Sequence, residues 1–231
     1  MPAKNSLKIY AEDSFYHIYN RGVEKRQIFQ DGQDYAVFLS YLKTYLLPKN
    51  EMELQKSLSD PAINYKEKDK IFKLLRLKNF ASEVTLIAYC LMSNHFHFLV
   101  KQKSRTAIDQ FMSSFCTRYT MFFNKKYSRV GSLYQAVYKA VLVDSEEQLL
   151  YLTSYIHRNP LSKRPPQENN ISGNLLSQPS SLPEFLGQRQ TNWVHPEEIL
   201  AYFSEKNPDL DYQSFVEQTE DFSLIQNVII D

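Results

Sequence analysis

Residues Cys90 to Val100 read Cys-Leu-Met-Ser-Asn-His-Phe-His-Phe-Leu-Val, and this stretch constrains the chain more than any other. Two histidines one residue apart sit inside a run that is otherwise apolar and strand-like. Side chains alternate across a strand, so His95, His97 and Leu99 share one face, while Phe96, Phe98 and Val100 share the other. A rise of about 3.3 Å per residue separates the two histidine Cα atoms by roughly 6–7 Å, close enough for both rings to converge on one ion. If the phenylalanines face an apolar layer, the histidines look out of the opposite side, and the remaining sequence must supply what they work with.

The flanking segments predict a mixed fold. Ser14–Asn20, rich in aromatic and β-prone residues, ends at the turn signal Arg21-Gly22 and reads as the first strand. Tyr35, Phe38, Leu39, Leu42 and Leu46 recur at helical spacing across Asp31–Leu47, and Pro48 stops them. A charged stretch to Phe80 reads as a largely helical surface insertion (about 48–80). Glu83–Met92 is almost continuously apolar, as a central strand is. Ser93-Asn94 turns it into His95–Gln102. Thr106–Lys126 predicts a long helix, Ser132–Val143 a strand. Ser145 and Gln148 stand at capping-box spacing before a helix that Asn159-Pro160 closes. Strand, helix, strand, strand, helix, strand, helix is the order of a ferredoxin-like α+β core with an antiparallel sheet and one added C-terminal helix. The expected division is a catalytic domain over 1–164, a Pro-rich linker over 165–190, and an acidic helical tail over 191–231, with helices at Pro196–Phe203 and Tyr212–Glu220.

Charge is segregated although the net value is only +1. From Lys101 to Lys139 there are eight basic residues (Lys101, Lys103, Arg105, Arg118, Lys125, Lys126, Arg129, Lys139) against Asp109 alone, a balance of +7. From Glu184 to Asp231 ten acidic residues oppose Arg189 and Lys206, a balance of −8. A basic block beside a histidine pair suggests a polyanionic substrate; two solvated helix faces are the plainer alternative. Neither a membrane span nor a signal-peptide core is visible, and Cys90 and Cys116 read as reduced core residues, so the expected location is cytoplasmic.

Two features of the last helix bear on chemistry. Tyr151, Tyr155 and Asn159, four residues apart, stack on one face. A tyrosine and an amide beside a metal-binding His pair would supply a nucleophile and a third ligand. A zinc hydrolase would want a further His, Cys or carboxylate close by, and Phe98, Leu99, Val100 and Lys101 provide none.

Several separated motifs, in order, resemble the HUH single-tyrosine transposases (IS200-like), and within them the REP-associated tyrosine transposases. Ala88–Val100 is similar to their His-hydrophobic-His strand pair, and Tyr16-His17-Ile18-Tyr19-Asn20-Arg21-Gly22 followed by Ile28-Phe29 to their opening strand. Asn124, Gly131–Gln135, Tyr155-Ile156-His157-Arg158-Asn159-Pro160, and Trp193-Val194-His195 with Glu198–Phe203 extend the likeness over about residues 14–220. Ser93 departs from the proline common in the strand turn, and the 48–80 insertion is atypically long.

The resemblance implies His95, His97 and Asn159 as ligands of Mg²⁺ or Mn²⁺ and Tyr155 as the nucleophile, with Tyr119 and Tyr151 as rivals. It implies attack on single-stranded DNA carrying hairpin elements, a 5′-phosphotyrosine intermediate, and strand transfer by a monomer or homodimer. Arg21 and Lys25, together with the eight cations above, are the expected DNA contacts, and Tyr134 and Tyr138 either stack on bases or pack. Two alternatives stay open: a hairpin-binding protein that no longer cuts, and an HUH nickase of replication or plasmid transfer.

Overall fold

The computed structural model describes residues 8–161, 179–203, 211–219 and 221–229. Four strands, β1 (Ser14–Arg21), β2 (Val84–Met92), β3 (His95–Gln102) and β4 (Lys139–Leu142), form one sheet in the order β2-β3-β1-β4. Each neighbouring pair is antiparallel. Between β1 and β2 lie α1 (Gly32–Leu46), α2 (Glu51–Leu58) and α3 (Tyr65–Arg76); α4 (Ala107–Lys126) links β3 to β4, and α5 (Glu146–Arg158) follows β4. This is the expected ferredoxin-like α+β core. Beyond it come α6 (Leu182–Phe185), α7 (Glu197–Ala201) and α8 (Tyr212–Gln218). Among the described residues, no helix is long and apolar enough to cross a membrane.

The period-2 alternation divides the sheet into two faces. Tyr16, Ile18, Phe96, Phe98 and Val100 are buried in one cluster with Phe38, Leu42 and Tyr45 of α1 and Phe111, Phe115 and Tyr119 of α4. Phe38 is its hub, with ring centroids 4.7 Å from Phe115, 5.5 Å from Phe96 and 6.0 Å from Phe98. Aromatic burial on this scale dominates a small core, and truncating one such ring costs about 3–5 kcal/mol. The other face packs Ala88, Cys90, Met92 and Leu99 against Leu149, Leu152 and Ile156 of α5 and against α6 to α8. A bulge between Leu86 and Ala88 adds one residue to β2, and so returns Tyr89 and Leu91 to the α1/α4 face.

Three expectations are corrected. Strand β2 is an edge, not a central strand. It reads as continuously apolar because helices cover both faces and residues 179–181 cover its rim: the Leu91 amide donates to the Pro179 carbonyl and the Ser181 amide to the Tyr89 carbonyl. Part of the expected linker is thus structural, while residues 165–178 lie outside the described residues. Strand β4 starts at Lys139 rather than Ser132. The preceding segment turns at Gly131 (φ +86°), and Leu133 and Tyr134 dive into the α1/α4 core. Tyr134 and Tyr138 are both buried, so they pack rather than stack on bases. Helix α5 begins at Glu146, capped by Ser145 Oγ accepting from the Gln148 amide.

At the end of β1, Gly22 is obligatory for steric reasons. A Cβ there would stand 2.3 Å from the Arg26 carbonyl oxygen, so only glycine lets the chain fold back at this point.

Candidate active site

Sheet register assembles the site. Tyr19 pairs with His97 and Arg21 with His95, and directly opposed residues share a face. His17, Tyr19, Arg21, His95 and His97 therefore project to one side, and Lys139, opposite Tyr19, joins them. Helix α5 lies over this side. Its Tyr155 ring stands edge-on to His97 at 5.5 Å and to His17 at 6.2 Å. One turn later, Asn159 Oδ1 is 3.2 Å from His95 Nε2. The sequence-predicted group of His95, His97, Tyr155 and Asn159 thus comes together from two elements 50 residues and more apart in the chain.

Hydrogen bonds hold the histidine rings in place. Asn94 donates from Nδ2 to the Lys25 carbonyl, so its Oδ1 faces His95 Nδ1 at 2.6 Å and accepts from it. His95 Nε2 in turn bonds Asn159 Oδ1 at 3.2 Å. The same logic runs through His17. Its Nδ1 bonds the Val228 carbonyl, which can only accept, leaving Nε2 to accept from His97 Nδ1 at 2.9 Å. Burial lowers the His17 pKa to about 4, so the ring is neutral at physiological pH. His97 Nδ1 therefore carries the hydrogen of that bond.

This donor set fits a small divalent cation. His95 Nε2 and Asn159 Oδ1, 3.2 Å apart, match the spacing of adjacent ligands at about 2.1 Å from one octahedral ion. The rings of His95 and His97 are perpendicular at 5.0 Å, so their Nε2 atoms can converge from different directions. Among the described residues, no three of His, Cys, Asp and Glu are grouped to hold a metal ion; the third donor here is an amide oxygen.

The rival tyrosines are elsewhere. Tyr119 is buried in the α1/α4 layer, its hydroxyl donating to the Ile28 carbonyl at 2.6 Å. Tyr151, one turn before Tyr155, packs edge-on to Phe215 of α8.

The basic block is divided by the sheet. Arg21 and Lys139 flank the histidines, and Lys25 and Lys103 are exposed near the strand ends. Lys101 shares the histidine face but is held by Glu198 at 3.1 Å, and Arg105 by Glu12 at 3.7 Å. Arg118, Lys125, Lys126 and Arg129 lie on or just after α4, across the sheet from Tyr155. Lys126 bonds Asp31 and the buried Asp34, both at 2.7 Å, tying the end of α4 to the start of α1. Arg129 bonds Asn124 at 2.8 Å.

His17 was not among the residues singled out from sequence. Alternation puts it on the face of Tyr19, but only the β1–β3 register brings it to His97. His157 is likewise structural: it bonds Tyr212 at 2.6 Å and Ser181 Oγ at 2.8 Å, and burial lowers its pKa to about 3. With Arg158, which donates to the Val216 and Glu217 carbonyls, it docks the C-terminal helices on α5.

The family model described as Transposase IS200 like matches residues 56–159, a span that contains β2, β3, α4, β4 and α5 through Asn159. A solved REP-associated tyrosine transposase bound to a REP hairpin is 7% identical, covering 84% of this chain and 98% of its own, with a TM-score of 0.49. A Deinococcus radiodurans structure described as a transposase is 14% identical (68% and 97% covered, TM-score 0.27). The tRNA(His) guanylyltransferase of Saccharomyces cerevisiae is 13% identical (89% and 82% covered, TM-score 0.27). No curated protein matches the chain.

Residues 56–159, which include the histidine strand and the tyrosine helix, are thus similar to the IS200-like transposases.

Proposed function

We propose that the chain is a metal-dependent tyrosine transposase of the REP-associated kind. In this reading it cleaves and rejoins single-stranded DNA beside hairpin elements, with Tyr155 as nucleophile. The observation that carries it is the convergence of Tyr155 on His97 (5.5 Å) and of Asn159 on His95 (3.2 Å) across one sheet face. The REP-associated assignment rests on the motifs around Tyr16, Gly131 and Tyr155.

His95 Nε2, His97 Nε2 and Asn159 Oδ1 would hold Mg²⁺ or Mn²⁺. Imidazole donors suit manganese better than magnesium. A divalent ion bound there polarises the phosphate and orients it for in-line displacement. Tyr155 Oη loses its proton to solvent and attacks phosphorus. The new bond joins Oη to phosphorus, the bond from phosphorus to the 3′ oxygen breaks, and that oxygen takes up a proton. A 5′-phosphotyrosine and a 3′-OH result. Attack by a 3′-OH on the phosphotyrosine reverses the step and joins strands without nucleotide hydrolysis.

Arg21 and Lys139 flank the histidines and neutralise backbone phosphates in this reading. Arg21 Nε is buried and has no partner among the described residues, which suits a group awaiting an anion. Tyr155→Phe should abolish the covalent adduct with a single-stranded hairpin oligonucleotide on a denaturing gel while hairpin binding persists. An undiminished adduct would sink the assignment.

A further inference from the structure

The insertion between α1 and β2 builds a second charged surface, on the far side of the α1/α4 layer from Tyr155. Helix α3 starts with a capping box at Asn64 and Glu67 and carries Lys66, Lys70 and Lys73 at i, i+4 and i+7, with Arg76 one turn beyond. The stripe covers about 10–15 Å at 1.5 Å per residue. Its C-terminal part faces a groove of about 640 Å³ walled by Tyr41 of α1, Lys70, Lys73, Leu74, Arg76 and Arg118 of α4. Four of those residues are cations and no carboxylate lines the groove. Asp69 bonds Lys73 at 2.6 Å, but that i,i+4 pair is exposed and adds little.

Arg118 makes the groove more than a run of solvated lysines. Its guanidinium lies over the Tyr41 ring at 3.9 Å, and its Nη1 is buried without a partner among the described residues. A stacked guanidinium with a spare donor is already oriented for an anion, so binding immobilises little more of it. Arg118 also covers one face of the Tyr41 ring, and Tyr41 is the one aromatic side chain in the groove wall. The groove therefore suits backbone phosphates rather than base stacking.

We propose that the α3–Arg118 groove binds the phosphate backbone of a duplex stem in the DNA on which Tyr155 acts, giving the insertion a role as a second, sequence-independent DNA contact. The inference rests on the transposase reading above. The test compares the full-length chain with a Lys70→Ala/Lys73→Ala/Arg76→Ala variant. All three positions are exposed, and alanine is a good helix former, so the fold should survive; an unchanged thermal transition verifies this. The probe is a fluorescent DNA hairpin with a single-stranded flank, followed by anisotropy over a salt series. Each lost phosphate contact lowers the slope of log K against log salt by about 0.9, so the variant should lose about 2–3 in slope and at least about tenfold in affinity at moderate salt. Arg118→Gln should lower the slope by about 1. Wild-type affinity and slope in both variants would overturn the proposal while leaving the Tyr155 site untouched. No hairpin binding by the wild-type chain would overturn the transposase reading and the groove with it.

Discussion

Replacing His17 with phenylalanine separates the chemistry of the histidine face from its packing. Phenylalanine keeps the ring volume in a fully buried position but removes both nitrogens. The Val228 carbonyl and His97 Nδ1 then lose their partners. A buried group left unsatisfied costs about 1–3 kcal/mol, so two such losses, offset in part by the added apolar surface, should destabilise by about 1–4 kcal/mol. The functional effect is larger than this suggests. Without the bond to His17, that acceptor no longer holds the hydrogen of His97 on Nδ1, and the ring can present a protonated Nε2 to the site. Outer-shell partners of this kind change metal affinity by about 10–100-fold. Isothermal titration with Mn²⁺ at neutral pH, on protein shown to be folded by circular dichroism, measures it. Mn²⁺ affinity equal to wild type would refute the reasoning, because the relay through His17 would then do nothing for His97.

Other outcomes follow from the same structure. His17 and His157 have folded pKa values of about 4 and about 3, below the unfolded value near 6.5. The unfolded chain thus binds more protons in this interval, so their stability is present above pH 6.5 and is lost as pH falls toward 3–4. Thermal melts from pH 7 to pH 4 should show a falling Tm, and a flat profile would contradict neutral buried rings. Lys126→Met should lower the urea unfolding midpoint, because the buried Asp34 loses its ammonium partner, whereas a purely DNA-contacting lysine would leave it unchanged. Asn159→Ala should weaken Mn²⁺ binding at least about tenfold in titration, with little loss of stability at the end of α5. Phe115→Ala should destabilise by about 3–5 kcal/mol without altering Mn²⁺ affinity, because it lies on the other sheet face.

Some of this was legible from residue order alone. The strict alternation from His95 to Val100 assigns both faces of β3 correctly, and the i, i+4 spacing of Tyr155 and Asn159 assigns both to one side of α5. Other features depend on partners distant in sequence. The apolar run of β2 is the same whether neighbouring strands or residues 179–181 cover its rim, so an edge strand looks central. Ser132–Tyr138 alternates like a strand, yet Leu133 and Tyr134 gain more from burial against α4 than from a continued ladder. His17 offered only a face, because its bond to His97 is a matter of register. The charge block hid its division, since Lys101 of β3 and the cations of α4 lie on opposite sides of one sheet although the two elements adjoin in sequence.

The central claim is that Tyr155 attacks DNA at an ion held by the histidine strand. Incubating the wild-type chain with a single-stranded hairpin oligonucleotide and Mn²⁺, trapping the covalent product and mapping it by peptide mass spectrometry tests that claim directly. The account predicts one modified peptide, with the 5′-phosphonucleotide on Tyr155, and none when the ion is chelated. A nucleotide on Tyr119, Tyr151 or any other residue, or an adduct that forms equally well in chelator, would contradict it.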